Sequence, residues 1–204
     1  MDTGPGIFAA FRYVQKQNGW HEIDDKTLHT LVGPPLISSY MKTFDLTEEK
    51  AVEAANLHRL YQKRCSYQLS TAYPGMADLL YTLKKKGYIL AVSTLKGEEI
   101  ARKTLSAGKL TSYFDGIFGV TPNHLKARKS DIINRALKAL KIEKQDAILI
   151  GDSQFDGLGA WENNMPFVAV TYGYGFHNSE EACAWHPLHV SPSVKDLSAF
   201  LSKI

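Results

Sequence analysis

The sequence predicts an α/β protein in two unequal parts, an all-helical segment over residues 3–72 and a parallel-sheet core covered by helices on both faces over residues 73–204. Three observations carry this reading. Before Gln68, apolar residues recur at helical spacing and no convincing strand interrupts them. After Tyr73-Pro74-Gly75, short runs that are apolar along their whole length alternate with helical stretches, as expected of a sheet buried on both faces. One of these runs, Ile148-Leu149-Ile150-Gly151, leads into two carboxylates four residues apart, Asp152 and Asp156, where strand gives way to helix.

In the first part, Ile7, Phe8, Phe11 and Val14 mark one face of a helix that Asn18-Gly19 stops. A short helix over 26–31 ends at Gly33-Pro34-Pro35, and Leu36, Ile37, Tyr40 and Met41 form a third apolar stripe. Thr47 caps a long fourth helix whose first turn carries Glu48 and Glu49, placed to suit the helix dipole, with Val52, Ala55, Leu60 and Tyr61 as its expected buried side. In the second part, helix over 76–86 ends at Gly87 and leads to a strand over 88–93 closed by Thr94. Helix over 98–106, strand over 116–120, helix over 130–140 and strand over 147–150 follow, then helix over 156–163 and strand over 167–171. Sheets of this kind bind ligands where their strands end, so the polar residues just beyond each apolar run are the candidates for chemistry.

Composition sets limits. With 204 residues, 44% hydrophobic and 22% charged, the chain is long enough for one sizeable core, or a core with a smaller module. A net charge of +3 gives no argument for a nucleic-acid or membrane partner, and Lys84, Lys85 and Lys86 read as the solvated end of a helix. Cys65 and Cys183 form neither a disulfide framework nor a metal cluster; they read as buried or idle thiols, in keeping with a reducing cytoplasm. No basic stretch followed by an apolar block opens the chain, and no apolar run approaches the roughly 20 residues that span a bilayer.

Ser93, Thr94 and Lys96 follow the first strand of the second part. Hydroxyls and N–H groups there can hold phosphate oxygens, although helix capping is the simpler role for Thr94. Lys129 opens a helix, where its charge opposes the dipole unless an anion is near; with Lys126 and Arg128 it reads alternatively as a solvated basic cluster. Asp152 and Asp156 read either as a helix cap and an exposed first-turn acid or as oxygen ligands for a hard cation such as Mg²⁺. A hydroxyl, a lysine and an acidic pair following successive strands favour the second reading. His186 and His189 read as surface loop residues, Gly173-Tyr174-Gly175 as the rim of the site, and Ser153 lacks the histidine partner of a serine hydrolase.

These motifs together resemble the haloacid dehalogenase-like phosphatases, in their phosphoglycolate phosphatase and 5′-nucleotidase-like branch. Gly33-Pro34-Pro35-Leu36 resembles the start of a cap helix and Tyr73-Pro74-Gly75 the return to the core. Ala91-Val92-Ser93-Thr94-Leu95-Lys96 resembles the second motif, Lys129 the third-motif lysine, and Gly151-Asp152 with Asp156 the acidic fourth motif. Thr171-Tyr172-Gly173-Tyr174-Gly175 is typical of the same branch. The resemblance implies a Rossmann-like core with an all-α cap domain, and a Mg²⁺-dependent phosphatase acting on a small phosphorylated metabolite through an aspartyl-phosphate. Thr94 and Lys129 would bind the phosphoryl group, and Asp152 and Asp156 the metal.

One part of the pattern is missing. Asp2-Thr3-Gly4-Pro5-Gly6-Ile7 resembles the segment after the family's Asp-x-Asp-Gly-Thr-Leu core, so residues 1–2 are a remnant of the first motif, and both of its aspartates would lie upstream of Met1. Asp2 is expected to cap the first helix instead. The family's first strand is central, so the sheet is expected to show a gap, distorted spacing or a second chain filling the space. A misplaced start, a truncation, or a shortened relative without catalysis would each explain this. The intact Thr94, Lys129, Asp152 and Asp156 favour the first two. The alternative function is a non-catalytic chain of this fold that binds a phosphorylated ligand or a protein. Oligomeric state is left open, with a dimer among the possibilities.

Overall fold

The computed structural model describes residues 1–125 and 127–204. The helical part consists of α1 (Gly4–Asn18), α2 (Asp25–Thr30), α3 (Leu36–Phe44) and α4 (Glu48–Arg64). Phe11, Val14, Leu28, Tyr40, Ala51 and Ala55 form its fully buried centre. Gly19 ends α1 in the left-handed conformation at φ 65°, and the Asp24 and Thr47 side chains cap α2 and α4.

The buried side of α4 differs from the expected one. Ala51, Ala54, Ala55, His58 and Gln62 face inward, while Leu60 is 52% exposed. Small residues let α4 approach α1 and α3 closely, and the polar pair His58 and Gln62 masks this stripe in a hydropathy pattern. His58 is satisfied inside: its Nδ1 lies 2.9 Å from the Tyr40 hydroxyl, and the ring stands edge-on to Phe11.

The second part runs α5 (Met76–Lys85), β1 (Ala91–Gly97), α6 (Glu98–Ala107), β2 (Gly116–Val120), α7 (Lys129–Leu140), β3 (Leu149–Gly151), α8 (Gln154–Glu162), β4 (Phe167–Val170), α9 (Ser179–Cys183), β5 (His189–Ser191) and α10 (Val194–Leu201). All strand pairs are parallel. β4 shows why its run is apolar throughout: Val168 and Val170 pack with Leu79, Leu83 and Leu197, while Phe167 and Ala169 pack with Ile133, Leu149 and Ala160 on the other face. No helix among the described residues is long and apolar enough to cross a membrane.

The strands form two ladders, β1-β2 and β3-β4-β5, with no hydrogen bonding between β1 and β3 among the described residues. The interruption falls where the sequence predicts a missing strand. Ile148 and Ile150, which a continuous sheet would cover, are 37% and 39% exposed.

Three expectations need correction. β1 does not stop at Thr94 but continues to Gly97, because β2 reaches Val120 beside it. Between the pairs Ser93–Phe118 and Gly97–Val120, residues Thr94, Leu95 and Lys96 stand against Gly119 alone, a bulge that lifts them off the ladder. Second, His189 lies in strand β5, its Nε2 2.6 Å from Asp196 Oδ1 and its ring stacked on Phe200, while His186 is an exposed loop residue. Third, Cys65 and Cys183 are exposed thiols, since each sits at the surface end of a helix.

Replacing Tyr40 by Phe tests the buried polar pair. It removes the hydroxyl and leaves His58 Nδ1 without a partner in an apolar centre, which costs about 1–3 kcal/mol. Urea denaturation should show a lowered midpoint with an unchanged slope. An unchanged midpoint would mean that the pair contributes nothing to stability.

Candidate active site

The site is built from the end of β3 outward. Gly151 closes the strand, Asp152 follows, and Ser153 is the N-cap of α8. Asp156 folds back on this turn. Its Oδ2 accepts the Ser153 Oγ hydrogen at 2.7 Å and the backbone N–H groups of Ser153 and Asp152 at 3.1 and 3.2 Å. This reciprocal capping is possible because Gly151 has no Cβ, which would strike the Asp156 side chain. Asp156 is therefore 6% exposed, not the exposed first-turn acid of the simpler reading.

The other Asp156 oxygen, Oδ1, lies 2.6 Å from Lys129 Nζ. Lys129 is the first residue of α7, and the same ammonium donates to the Ser93 carbonyl at 2.6 Å. Asp156 supplies the anion that this lysine needs at a helix N-terminus. Lys129 thus ties the carboxyl end of β1 to that of β3. Arg128, its neighbour, pairs outward with Glu162 at 3.0 Å, so the two are not one solvated cluster; Lys126 lies outside the described residues.

Thr94 sits beside Ser93 in the β1 bulge. Its Oγ1 accepts the Lys96 N–H at 3.1 Å. It does not cap α6, whose N-cap is Gly97. Thr94, Lys129, Asp152 and Asp156 are therefore gathered at the adjoining carboxyl ends of β1 and β3.

Asp152 is held by the turn after β4. Its Oδ2 accepts the Tyr174 N–H at 2.8 Å, and its carbonyl accepts that of Phe176 at 2.7 Å. Gly173 permits this approach, because a Cβ there would occupy the position of the Asp152 carboxylate. Burial and then the nearby Asp156 charge push the Asp152 pKa up, against the backbone N–H groups of Tyr174 and Gly175. No cationic side chain forms an ion pair with it among the described residues.

Asp2 arrives from the other side. Its Oδ1 accepts the Gly4 N–H at 3.1 Å and also the Tyr174 hydroxyl at 2.7 Å, but the N-cap of α1 is Thr3, not Asp2 as expected. Its backbone pairs with Thr71, joining the two points where the chain passes between the parts. The Met1 amino group is nearby, its pKa lowered by burial and raised in part by Asp152 and Asp2. Tyr73 and Tyr172, in edge contact with centroids 5.1 Å apart, complete the surroundings. Burial and then Asp152 push the Tyr172 hydroxyl up to about 12. Sequence reasoning valued Tyr73 and Tyr172 only as parts of turn motifs. Their recurrence around glycines was the available signal.

Two outcomes check this geometry. Lys129→Met strands a buried carboxylate and should cost about 3–5 kcal/mol, with a large part recovered in the Lys129→Met/Asp156→Asn double variant. Strictly additive losses would show that the two do not interact. For Asp152 the sign runs the other way. A carboxyl whose folded pKa is raised is held protonated more tightly by the folded chain, so its contribution worsens as pH rises from the unfolded value, about 3.9, through the raised one. Without added metal, Asp152→Asn should raise Tm at pH 7, and the gain should vanish below about pH 4. A lower Tm at pH 7 would contradict the unpaired state of this acid.

Comparison with known proteins identifies the family. The haloacid dehalogenase-like hydrolase family model matches residues 1–170. A 5′-nucleotidase of Pseudomonas aeruginosa is 28% identical over 92% of this chain and 84% of its own length. Phosphoglycolate phosphatase 1 of the same organism is 34% identical over 73% of this chain and 54% of its own. A crystal structure described as a predicted phosphatase from Clostridium acetobutylicum superposes with a TM-score of 0.91 at 33% identity, covering 100% of this chain and 93% of that one. With the family model matching most of its length, the chain belongs to the haloacid dehalogenase-like hydrolases, and several of the proteins similar to it are named as phosphatases.

Proposed function

We propose that the protein is a Mg²⁺-dependent phosphatase of a small phosphomonoester, phosphoglycolate- or nucleoside-monophosphate-like, working through an aspartyl-phosphate. The observation that carries the reading is the gathering of Thr94, Lys129 and Asp152 at the adjoining ends of β1 and β3. The Thr94 hydroxyl and the Lys129 ammonium would bind phosphoryl oxygens and offset the charge that builds up on them. The helical part would be a cap that shields the site, with the Asp2–Thr71 pair at its hinge.

The residues present fit a Mg²⁺ ion in one respect. Asp152 is a partly buried carboxylate with no cationic side chain paired to it among the described residues, beside a second carboxylate that raises its pKa further. Among the described residues, no group of three or more His, Cys, Asp or Glu could hold a metal. An ion at Asp152 would therefore take most of its shell from water, backbone carbonyls and substrate, as Mg²⁺ commonly does. Asp156 would support it from behind, since Lys129 and Ser153 already engage its oxygens. When bound, the ion would polarise the phosphoryl group and its leaving oxygen.

The attacking aspartate that the family resemblance implies is not among the 204 residues. The 204 residues thus include the proposed binding groups but not that aspartate, and the Met1 amino group is buried within the influence of Asp152 and Asp2. The 204-residue chain should show no turnover of an aryl phosphate above buffer with Mg²⁺ present. Adding a first strand that ends in Asp-x-Asp-Gly-Thr-Leu should give Mg²⁺-dependent turnover, abolished by Asp152→Asn. Turnover by the short chain would show that another residue attacks. Inactivity of the lengthened chain, together with retained phosphate binding, would favour the non-catalytic alternative.

A further inference from the structure

The turn after β4 holds Asp152 but has little stiffness of its own. Close approach requires its two glycines. A Cβ on Gly173 would strike the Asp152 carboxylate, and one on Gly175 would strike the Asp152 carbonyl and Ser153. Glycine on both sides of a single residue leaves the backbone unusually free, so such a turn has to be fixed from outside. The one side chain between them is that of Tyr174, and its own N–H, 2.8 Å from Asp152 Oδ2, sets the direction in which that carboxylate points.

The Tyr174 side chain turns the other way, to residues at and after the start of the helical part. Its hydroxyl donates to Asp2 Oδ1 at 2.7 Å. Its ring stands edge-on to Phe8 of α1 with centroids 6.0 Å apart, and lies 5.5 Å from the His29 ring of α2 at an interplanar angle of 31°. Phe8 and His29 meet each other at 4.9 Å, so the three rings form one cluster. Gly4 completes the seat, because a Cβ there would overlap the Tyr174 hydroxyl. The backbone of Tyr174 thus addresses the acid, while its side chain is held by residues of the first two helices and the segment before them.

We infer that Tyr174 is a positioning residue for Asp152: its side chain, held by Asp2, Phe8 and His29, stiffens the glycine-flanked turn so that the N–H presents the carboxylate to a divalent cation. Cation binding and docking of the helical part then favour one another, and the coupling is reciprocal. Loosening the ring cluster weakens the cation, and the cation tightens the cluster. This rests on the Mg²⁺-dependent reading above and deepens it by naming what prepares the metal ligand.

Mg²⁺ titration of the 204-residue protein tests this, followed by NMR at the Tyr174 amide and at the ring protons of Phe8 and His29. In the original chain all three should shift with one midpoint. Tyr174→Ala should weaken Mg²⁺ about tenfold, the worth of one charge-assisted hydrogen bond, and Tyr174→Phe, which keeps the ring, should restore much of the loss. His29→Ala should weaken Mg²⁺ about threefold through the lost ring contact, and should have no further effect when Tyr174→Ala is already present. Melting curves confirm that each variant folds. A folded Tyr174→Ala that binds Mg²⁺ as tightly as the original chain overturns the positioning role. The same follows if His29→Ala loses an equal factor in both backgrounds, or if the Phe8 and His29 rings do not respond to Mg²⁺. Should Tyr174→Ala not fold, unchanged Mg²⁺ affinity in both His29→Ala and Phe8→Leu overturns it equally. Asp152→Asn separates the parent reading: it should abolish Mg²⁺ binding, and retained binding would show that the metal site itself is misplaced. An original chain that binds no Mg²⁺ overturns both.

Discussion

Where the two ladders fail to meet, the Lys129 ammonium spans them. It donates to the Ser93 carbonyl on β1 and pairs with Asp156 at the start of α8, both at 2.6 Å. Both side chains are nearly out of solvent, so their attraction is little screened and their desolvation is substantial. Much of the site depends on this pair. Asp156, once neutralised, collects the N–H groups of Asp152 and Ser153 and so begins α8 in a fixed direction. Ser93, once held, fixes the last paired residue of β1 before the bulge that releases Thr94. α7 carries the lysine and packs on β1, β2 and α8, which makes it the rigid element between the ladders.

What the sequence disclosed follows the range of each signal. Continuous apolar runs marked β4 and β2 closely; in β4 burial on both faces leaves no polar position to blur the run, and in β2 the half-buried alternate positions are apolar or glycine as well. Helix ends were readable where a capping side chain or a glycine acts within a few residues, as at Thr47 and Gly19. The acidic turn was legible for the same reason: Gly151, Asp152, Ser153 and Asp156 satisfy one another locally. The β1 bulge was not, because it depends on which residue of β2 lies opposite, and Gly119 becomes informative only once register is known. β5 escaped notice since three residues, one of them His189, show no apolar run. The inward side of α4 was hidden because His58 and Gln62 look polar until Tyr40 is placed beside His58.

The same limit applies to charge. Lys129 and Lys96 both come shortly after an apolar run in the sequence, and spacing alone does not distinguish them. Their surroundings do. One pairs with Asp156, while the other adds, with burial and Arg59, to the lowering of the His58 pKa. Lysine is tolerated in the first place because its neighbour neutralises it. In the second, the fold itself supplies no such neighbour among the described residues, and the difference is one of partners across elements rather than of residue type.

The rim turn Thr171–Gly175 extends this reasoning from position to coupling. Tyr174 gives its backbone N–H to Asp152 and its hydroxyl to Asp2, so one residue touches both the acid beside the proposed metal site and the joint between the two parts. Its ring also meets Phe8 of α1 and His29 of α2. Any rotation of the helical part about the Asp2–Thr71 pair must therefore change what Tyr174 touches, and Tyr174 shares a short, glycine-flanked turn with the Asp152 contact. Gly173 and Gly175 keep that turn pressed against Asp152 and Ser153, where added Cβ atoms would collide. The Asp2–Thr71 pair and a carboxylate far apart in sequence thus become adjacent through the backbone of one turn, which would give the proposed cap a direct means of registering its position at the proposed site.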